Sequence, residues 1–283
     1  MFFLNYRYFV DQKTFLPFEE IVRRHGLDYF SLPVRIIIFF SHRWLDGRVA
    51  DNGDCFLECK GHVDQIIAGF EDQKEDLPYF GFFFDYSCIP QCGEHRLFST
   101  NVGVMERLKR LLLIELYQTV TMSTTVHLCH ANSAGYQKRL WIVMELLIAL
   151  DKGVEQIPTA FRGDLEDVKR LKRSIRSISD NTDLSMHVRR ITDGLETTLA
   201  EDRTATELTL YRYLKTRSAR IPIQVMNAAI WDVHNGLKQA LQGNGHRLEK
   251  HVNNGLSNWR SAIEDMGFDK EFRERLRQDG LDG

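Results

Sequence analysis

The chain has 283 residues, 43% hydrophobic and 27% charged, with a formal net charge of −2. That length holds one large domain, or one domain with a sizeable appendage. So balanced a charge leaves no electrostatic footprint for nucleic acid and none for an anionic membrane surface. No window approaches a membrane span, and the start, MFFLNYRYFVDQK, lacks the basic leader and apolar core of a signal peptide. Five cysteines, an odd number in a chain too long to need staples, point to reduced thiols and a cytoplasmic setting.

Residues 1–33 form an aromatic-rich N-terminal extension, with a short helix expected over PFEEIVRRHG. VRIIIFF follows, a continuous apolar run of strand length that suits a parallel strand covered on both faces. NGDCFLECKGHVDQIIAGFED reads as a helix with Phe56, Cys59, Val63, Ile66, Ile67 and Phe70 on one side. YFGFFFD is a second buried strand, VGVMERLKRLLLIELYQ a second helix, and TVTMSTTVHLC a third strand rich in β-branched residues. YQKRLWIVMELLIAL is a third helix. Strand alternating with helix in this way argues for a parallel α/β sheet built from right-handed crossovers. A fourth strand has one weak candidate, GVEQIPT at 153–159, and no fifth is evident. Beyond it, DLEDVKRLKRSIRSIS sets an apolar stripe (Val168, Leu171, Ile175, Ile178) opposite a basic row, read as a solvated helix face. Residues 188–215 and 223–280 are mostly helical in pattern. The division expected is therefore an extension at 1–33, an α/β domain at 34–160 and a helical region at 161–283.

In an open parallel sheet, ligands bind outside the carboxyl ends of the strands. Three polar clusters fall there: Ser41, His42 and Asp46 after the first strand, Asp85 and YSCIPQCG after the second, and Trp141 and Glu145 in the helix after the third. Each has a plain structural alternative. His42 can be a hydrogen-bonded structural residue, and Asp46 and Asp85 can cap turns. Lys138, Glu145 and Lys152 are spaced by seven and can form one solvated stripe, although Trp141 and Ile148 share that face. Cys88 and Cys92 sit at the second tip without any sign of a lowered pKa. The pairs Cys55/Cys59 and Cys88/Cys92, near His62 and His95, are spaced C-x3-C instead of the usual C-x2-C knuckle. The expectation is accordingly buried thiols and no metal. No catalytic triad, P-loop or G-x-G-x-x-G can be assigned.

Taken together, the clusters resemble the TIR (Toll/interleukin-1 receptor) domain superfamily over residues 34–150. FFSHRWLD matches its opening strand, with Ser41, His42 and an acid at Asp46. DYSCIPQCG matches its second box through Asp85, Pro90 and Gly93. WIVMEL matches its helix signature W-C-x-x-E-L, with Trp141, Glu145 and Leu146 kept and Ile142 in place of the cysteine. The combination S-H-R-W, D-x-x-C-x-P-Q and R-x-W-x-x-x-E is similar to a divergent subgroup from microbes and protists.

The resemblance implies a flavodoxin-like sheet with helices on both faces. It also implies cleavage of NAD at the nicotinamide–ribose bond, with release or cyclisation of ADP-ribose, in a stress or antiviral response. Glu145 takes the place of the essential glutamate. Ser41, His42, Trp44, Asp46, Asp85 and Trp141 would line the substrate crevice. The loop with Cys88, Pro90 and Gly93 would serve assembly or gating. NAD enters as substrate and no cofactor is implied; the domain would self-associate, with neither nucleic acid nor membrane as partner. Two other readings stay open. One is a TIR-type adaptor that cleaves nothing, the other a nucleoside deoxyribosyltransferase-like enzyme acting on a different N-glycosidic bond.

Overall fold

A computed structural model describes residues 1–42, 53–70, 75–91, 102–129, 139–157, 173, 176–178, 183–197, 202–215 and 223–264. At its centre is a four-stranded parallel sheet in the order β2-β1-β3-β4, made of β1 (Ile36–Ser41), β2 (Phe80–Phe83), β3 (Thr125–Leu128) and β4 (Glu155–Ile157). Ile38 pairs with Phe82 on one side and Thr125 on the other, so β1 is a central strand. Its apolar run has a simple cause: both faces are covered, and Ile37, Ile38, Phe39 and Phe40 are all buried. The chain is an α/β protein.

The helices in chain order are α1 (Tyr6–Asp11), α2 (Phe18–His25), α3 (Asp54–Gly69), α4 (Asp85–Cys88), α5 (Val102–Ile114), α6 (Leu116–Met122) and α7 (Leu140–Lys152). After β4 come α8 (Leu184–Thr192), α9 (Asp202–Lys215), α10 (Ile223–Leu241) and α11 (Leu248–Glu264). On one face of the sheet, α1 and α3 pack through aromatic rings. Phe9 of α1 touches Phe40, Phe56 and Phe82 at centroid distances of 6.1, 5.9 and 5.4 Å. The other face carries α6 and α7.

The first four residues are part of this core. Leu4 and Phe82 exchange two backbone hydrogen bonds of 2.8 Å, so the N-terminal segment covers the outer edge of β2. Gly81 of β2 is what lets it come so close, for a Cβ there would lie 2.8 Å from both Phe3 Cβ and Val34 Cγ1.

One boundary differs from the sequence pattern. TVTMSTTVHLC reads as a strand from Thr119, but Thr119, Val120 and Thr121 belong to α6, and β3 starts at Thr125. Strand propensity gives way where the Thr121 and Ser123 hydroxyls bond back to carbonyls of the helix. Thr121 Oγ1 donates to the Gln118 carbonyl at 2.9 Å, and Ser123 Oγ donates to that of Thr119 at 2.7 Å. The weak fourth strand does form, as β4, after α7 ends in the left-handed turn at Gly153 (φ 67°). The basic row expected over 164–179 lies almost wholly outside the described residues. No helix among the described residues is long and apolar enough to cross a membrane.

Candidate functional site at the sheet tips

Side chains alternate along β1, so Phe40 and Ser41 project to opposite faces. Ser41, the last residue of the strand, faces α7, where its Oγ donates a 2.6 Å hydrogen bond to Glu145 Oε2. Glu145 sits in the second turn of α7, a helix buried on nearly every side. The wet stripe that spacing allowed for Glu145 is not present. Glu145 is only 7% exposed, and Lys152, one end of that stripe, lies over the Tyr213 ring at 5.6 Å. Lys138, the other end, is outside the described residues. The reason is tertiary: Glu145 points at Ser41 of β1, so this side of α7 lies against the sheet, while α9 lays Tyr213 against α7 with its hydroxyl bonded to the Asp151 carboxylate.

Burial pushes the Glu145 carboxyl up to about 8, the Ser41 hydrogen bond pulls it partly back, and the nearby Asp85 charge raises it again. At neutral pH the group therefore holds a proton in the ligand-free protein, and a cation placed beside it would draw it into the carboxylate form. Burial beside a hydroxyl donor and a neighbouring charge perturbs carboxyls in functional sites and in structural networks alike.

His42 follows Ser41. Its ring stacks on Phe84 at 3.9 Å, and its Nε2 lies 3.6 Å from Asp85 Oδ1, a distance for electrostatic attraction more than for a tight hydrogen bond. Asp85 opens α4 and also accepts from the Tyr86 amide at 2.6 Å. Ser41, His42, Asp85 and Glu145, spread over a hundred positions of sequence, thus meet at the carboxyl ends of β1 and β2. Trp141 lies one turn before Glu145, partly buried against the core. Trp44, Asp46 and Gly93 fall outside the described residues.

The second loop is anchored. Cys88 is fully buried, takes the Phe84 amide at 3.4 Å and donates to the Phe82 carbonyl at 3.5 Å. Burial pushes its thiol up to about 12, which makes it a poor nucleophile. Pro90 is buried beside it. Gln91 donates its amide to Glu19 Oε1 at 2.7 Å and its side chain to the Ile89 carbonyl at 2.8 Å. Neither Cys88 nor Pro90 offers a side chain to a docking partner in this arrangement.

A second polar group escaped the reading of the sequence as a set. On the α3 face of the sheet, His127 Nε2 lies 2.9 Å from Glu58 Oε1, and Cys129 Sγ lies 3.5 Å from Cys59 Sγ. Glu58 is one position from the noted pair Cys55/Cys59, and His127 and Cys129 both occur in the segment read as the third strand. Only the fold brings the two together. Comparison of the chain with family models, curated proteins and solved structures gave no match.

Proposed function

We propose that the chain is a TIR-like enzyme that cleaves NAD at the nicotinamide–ribose bond. The observation that carries this reading is the buried Glu145 carboxyl, held by Ser41 at the carboxyl end of the central strand. The strand order 2-1-3-4 supports it as well, since it is that of the first four strands of a flavodoxin-like sheet, whose ligands bind at this edge.

The chemistry follows from charge. The nicotinamide ring of NAD is cationic, and its departure leaves a ribosyl cation of the kind met in glycoside hydrolysis. A carboxylate fixed beside C1 of the ribose stabilises that developing charge, and does so best in a water-poor setting. Glu145 meets this need in two stages. The arriving cation shifts its proton equilibrium toward the carboxylate, and the Ser41 hydroxyl then holds one oxygen while the other faces the ribose. His42 and Asp85 border the same edge and orient the nucleotide, with Trp141 beside them. Nicotinamide is a good leaving group, so one carboxylate suffices for bond breaking and water or the adenine ring takes the ribosyl carbon.

The test is nicotinamide release from NAD by the purified full chain beside Glu145→Gln, both at high protein concentration and both checked for fold by circular dichroism. Release by the wild type alone is expected. Equal release by the variant, or NAD left intact after assembly is forced by fusion to an oligomer, overturns the proposal. Free base released from a deoxynucleoside, with NAD untouched, would instead select the deoxyribosyltransferase-like reading.

A further inference from the structure

Helix α3 carries Cys55, Glu58, Cys59 and His62 at positions i, i+3, i+4 and i+7, which places four potential metal ligands on one face. That face meets β3 and the residue after it, where the period of two aims His127 and Cys129 the same way. The contacts are direct. His127 Nε2 and Glu58 Oε1 are 2.9 Å apart, and the sulfurs of Cys59 and Cys129 are 3.5 Å apart. The imidazoles of His62 and His127 stack at 5.0 Å. The donor atoms of Glu58, His127 and Cys129 all lie within 4.8 Å of one another.

We infer that this cluster is a binding site for one divalent ion of the zinc class, held by Glu58, His127 and Cys129, with Cys59 beside Cys129 as a further thiol. Thiolate and imidazole together select zinc-like ions over magnesium or calcium, and a single carboxylate is compatible with them. The spacing suits a tetrahedral ion. Two sulfurs each about 2.3 Å from zinc stand about 3.8 Å apart, and a nitrogen and an oxygen at about 2.1 Å stand about 3.4 Å apart. The 2.9 Å between His127 and Glu58 has to open by about half an ångström, and Cys59, 3.5 Å from Cys129, has to move toward the other donors to join as a fourth ligand. His127 Nε2, the nitrogen beside Glu58, is the ring atom that would meet the ion; Nδ1 has no hydrogen-bond partner among the described residues. Phe40 sets its edge or face against both His62 and His127, at 6.2 and 5.6 Å, and fixes the imidazoles from the sheet side.

The ion would tie α3 to the end of β3. It would lie across the sheet from Glu145, because Phe40 faces the cluster while its neighbour Ser41 faces Glu145. The inference stands on these residues alone and does not depend on NAD cleavage. Its role is that of a clamp, as the free energy of metal binding becomes folding free energy when the ligands come from separate elements.

Titration of chelator-treated, reduced full chain with Co2+ tests it. One equivalent is expected to give a thiolate-to-cobalt charge-transfer band together with the visible bands of a tetrahedral ion, and Zn2+ is expected to abolish them. The bands should be retained in Cys88→Ser and lost in Cys129→Ser and in His127→Gln, with the far-ultraviolet spectrum of the His127→Gln chain unchanged. No bands in the wild type, their survival in Cys129→Ser and His127→Gln, or their loss in Cys88→Ser would each overturn the assignment.

Discussion

Glu145 and Ser41 form a two-residue device whose behaviour is set by proton equilibria. In the folded chain Glu145 keeps its proton up to about pH 8, whereas its ordinary value is 4.5. Between those two values the folded state holds a proton that the unfolded state has lost. Stability therefore falls as pH rises through this window; the contribution is fully present below about 4.5 and gone above about 8. Glu145→Gln removes the titration, so denaturant midpoints of the variant are expected to vary less over this range than those of the wild type. An identical pH slope in both would mean that the carboxyl is solvated. Ser41→Ala removes the donor that stabilises the carboxylate form, and the Glu145 pKa should rise further. If NAD cleavage uses the carboxylate, the acid limb of the kcat/KM profile moves to higher pH in Ser41→Ala, which a pH series on purified protein would show.

At the level of elements, the sheet is decided by apolar runs and the helices by what covers them. β1 and β2 are legible because a parallel strand buried on both faces is apolar along nearly its whole length, and IIIFF and FGFFF read that way without structural help. The boundary between α6 and β3 is not legible, because Thr119–Thr121 suit either form and only burial, with the Thr121 and Ser123 hydroxyls bonded back to the helix, selects it. Gly81 shows the same dependence on neighbours. A strand glycine is weak by propensity, yet here it makes room for the N-terminal segment. Gly81→Ala forces Phe3 or Val34 to move, and a loss of roughly 1–3 kcal/mol is expected from overpacking. Urea unfolding would measure it, and a change within error would show that the segment can yield.

For the molecule as a whole, the helices that follow the sheet are docked onto it by specific polar bonds. Arg212 of α9 and Glu115, at the break between α5 and α6, form an ion pair buried on both sides. Thr209 Oγ1 donates to the Leu113 carbonyl at 3.0 Å, and Asn227 of α10 exchanges bonds of 3.0 and 3.2 Å with the backbone of Val34. Removing one member of a buried pair leaves the other charge uncompensated, at a cost of about 3–5 kcal/mol. Arg212→Ala should therefore lower stability by that order, while the double replacement Glu115→Leu with Arg212→Met should lower it less. Thermal unfolding of both would decide, and a mild Arg212→Ala would mean that α9 contributes little to holding the body together.

By itself the sequence determined the α/β class, the core strands and the polar residues that end them, because strand burial and tip chemistry are written in runs of neighbouring residues. Ser41, His42, Asp85 and Glu145 could all be named from their positions relative to those runs. The tertiary structure alone decided which of them meet and in what state. Glu145 could have lain on a wet stripe with Lys138 and Lys152, and it is buried because α7 turns it toward Ser41 of β1, about a hundred positions earlier in the chain. The grouping of Glu58 and Cys59 with His127 and Cys129 belongs to the same kind of fact. Their separation of about seventy positions in the chain closes to hydrogen-bond distance through strand pairing and helix packing, which no local pattern encodes.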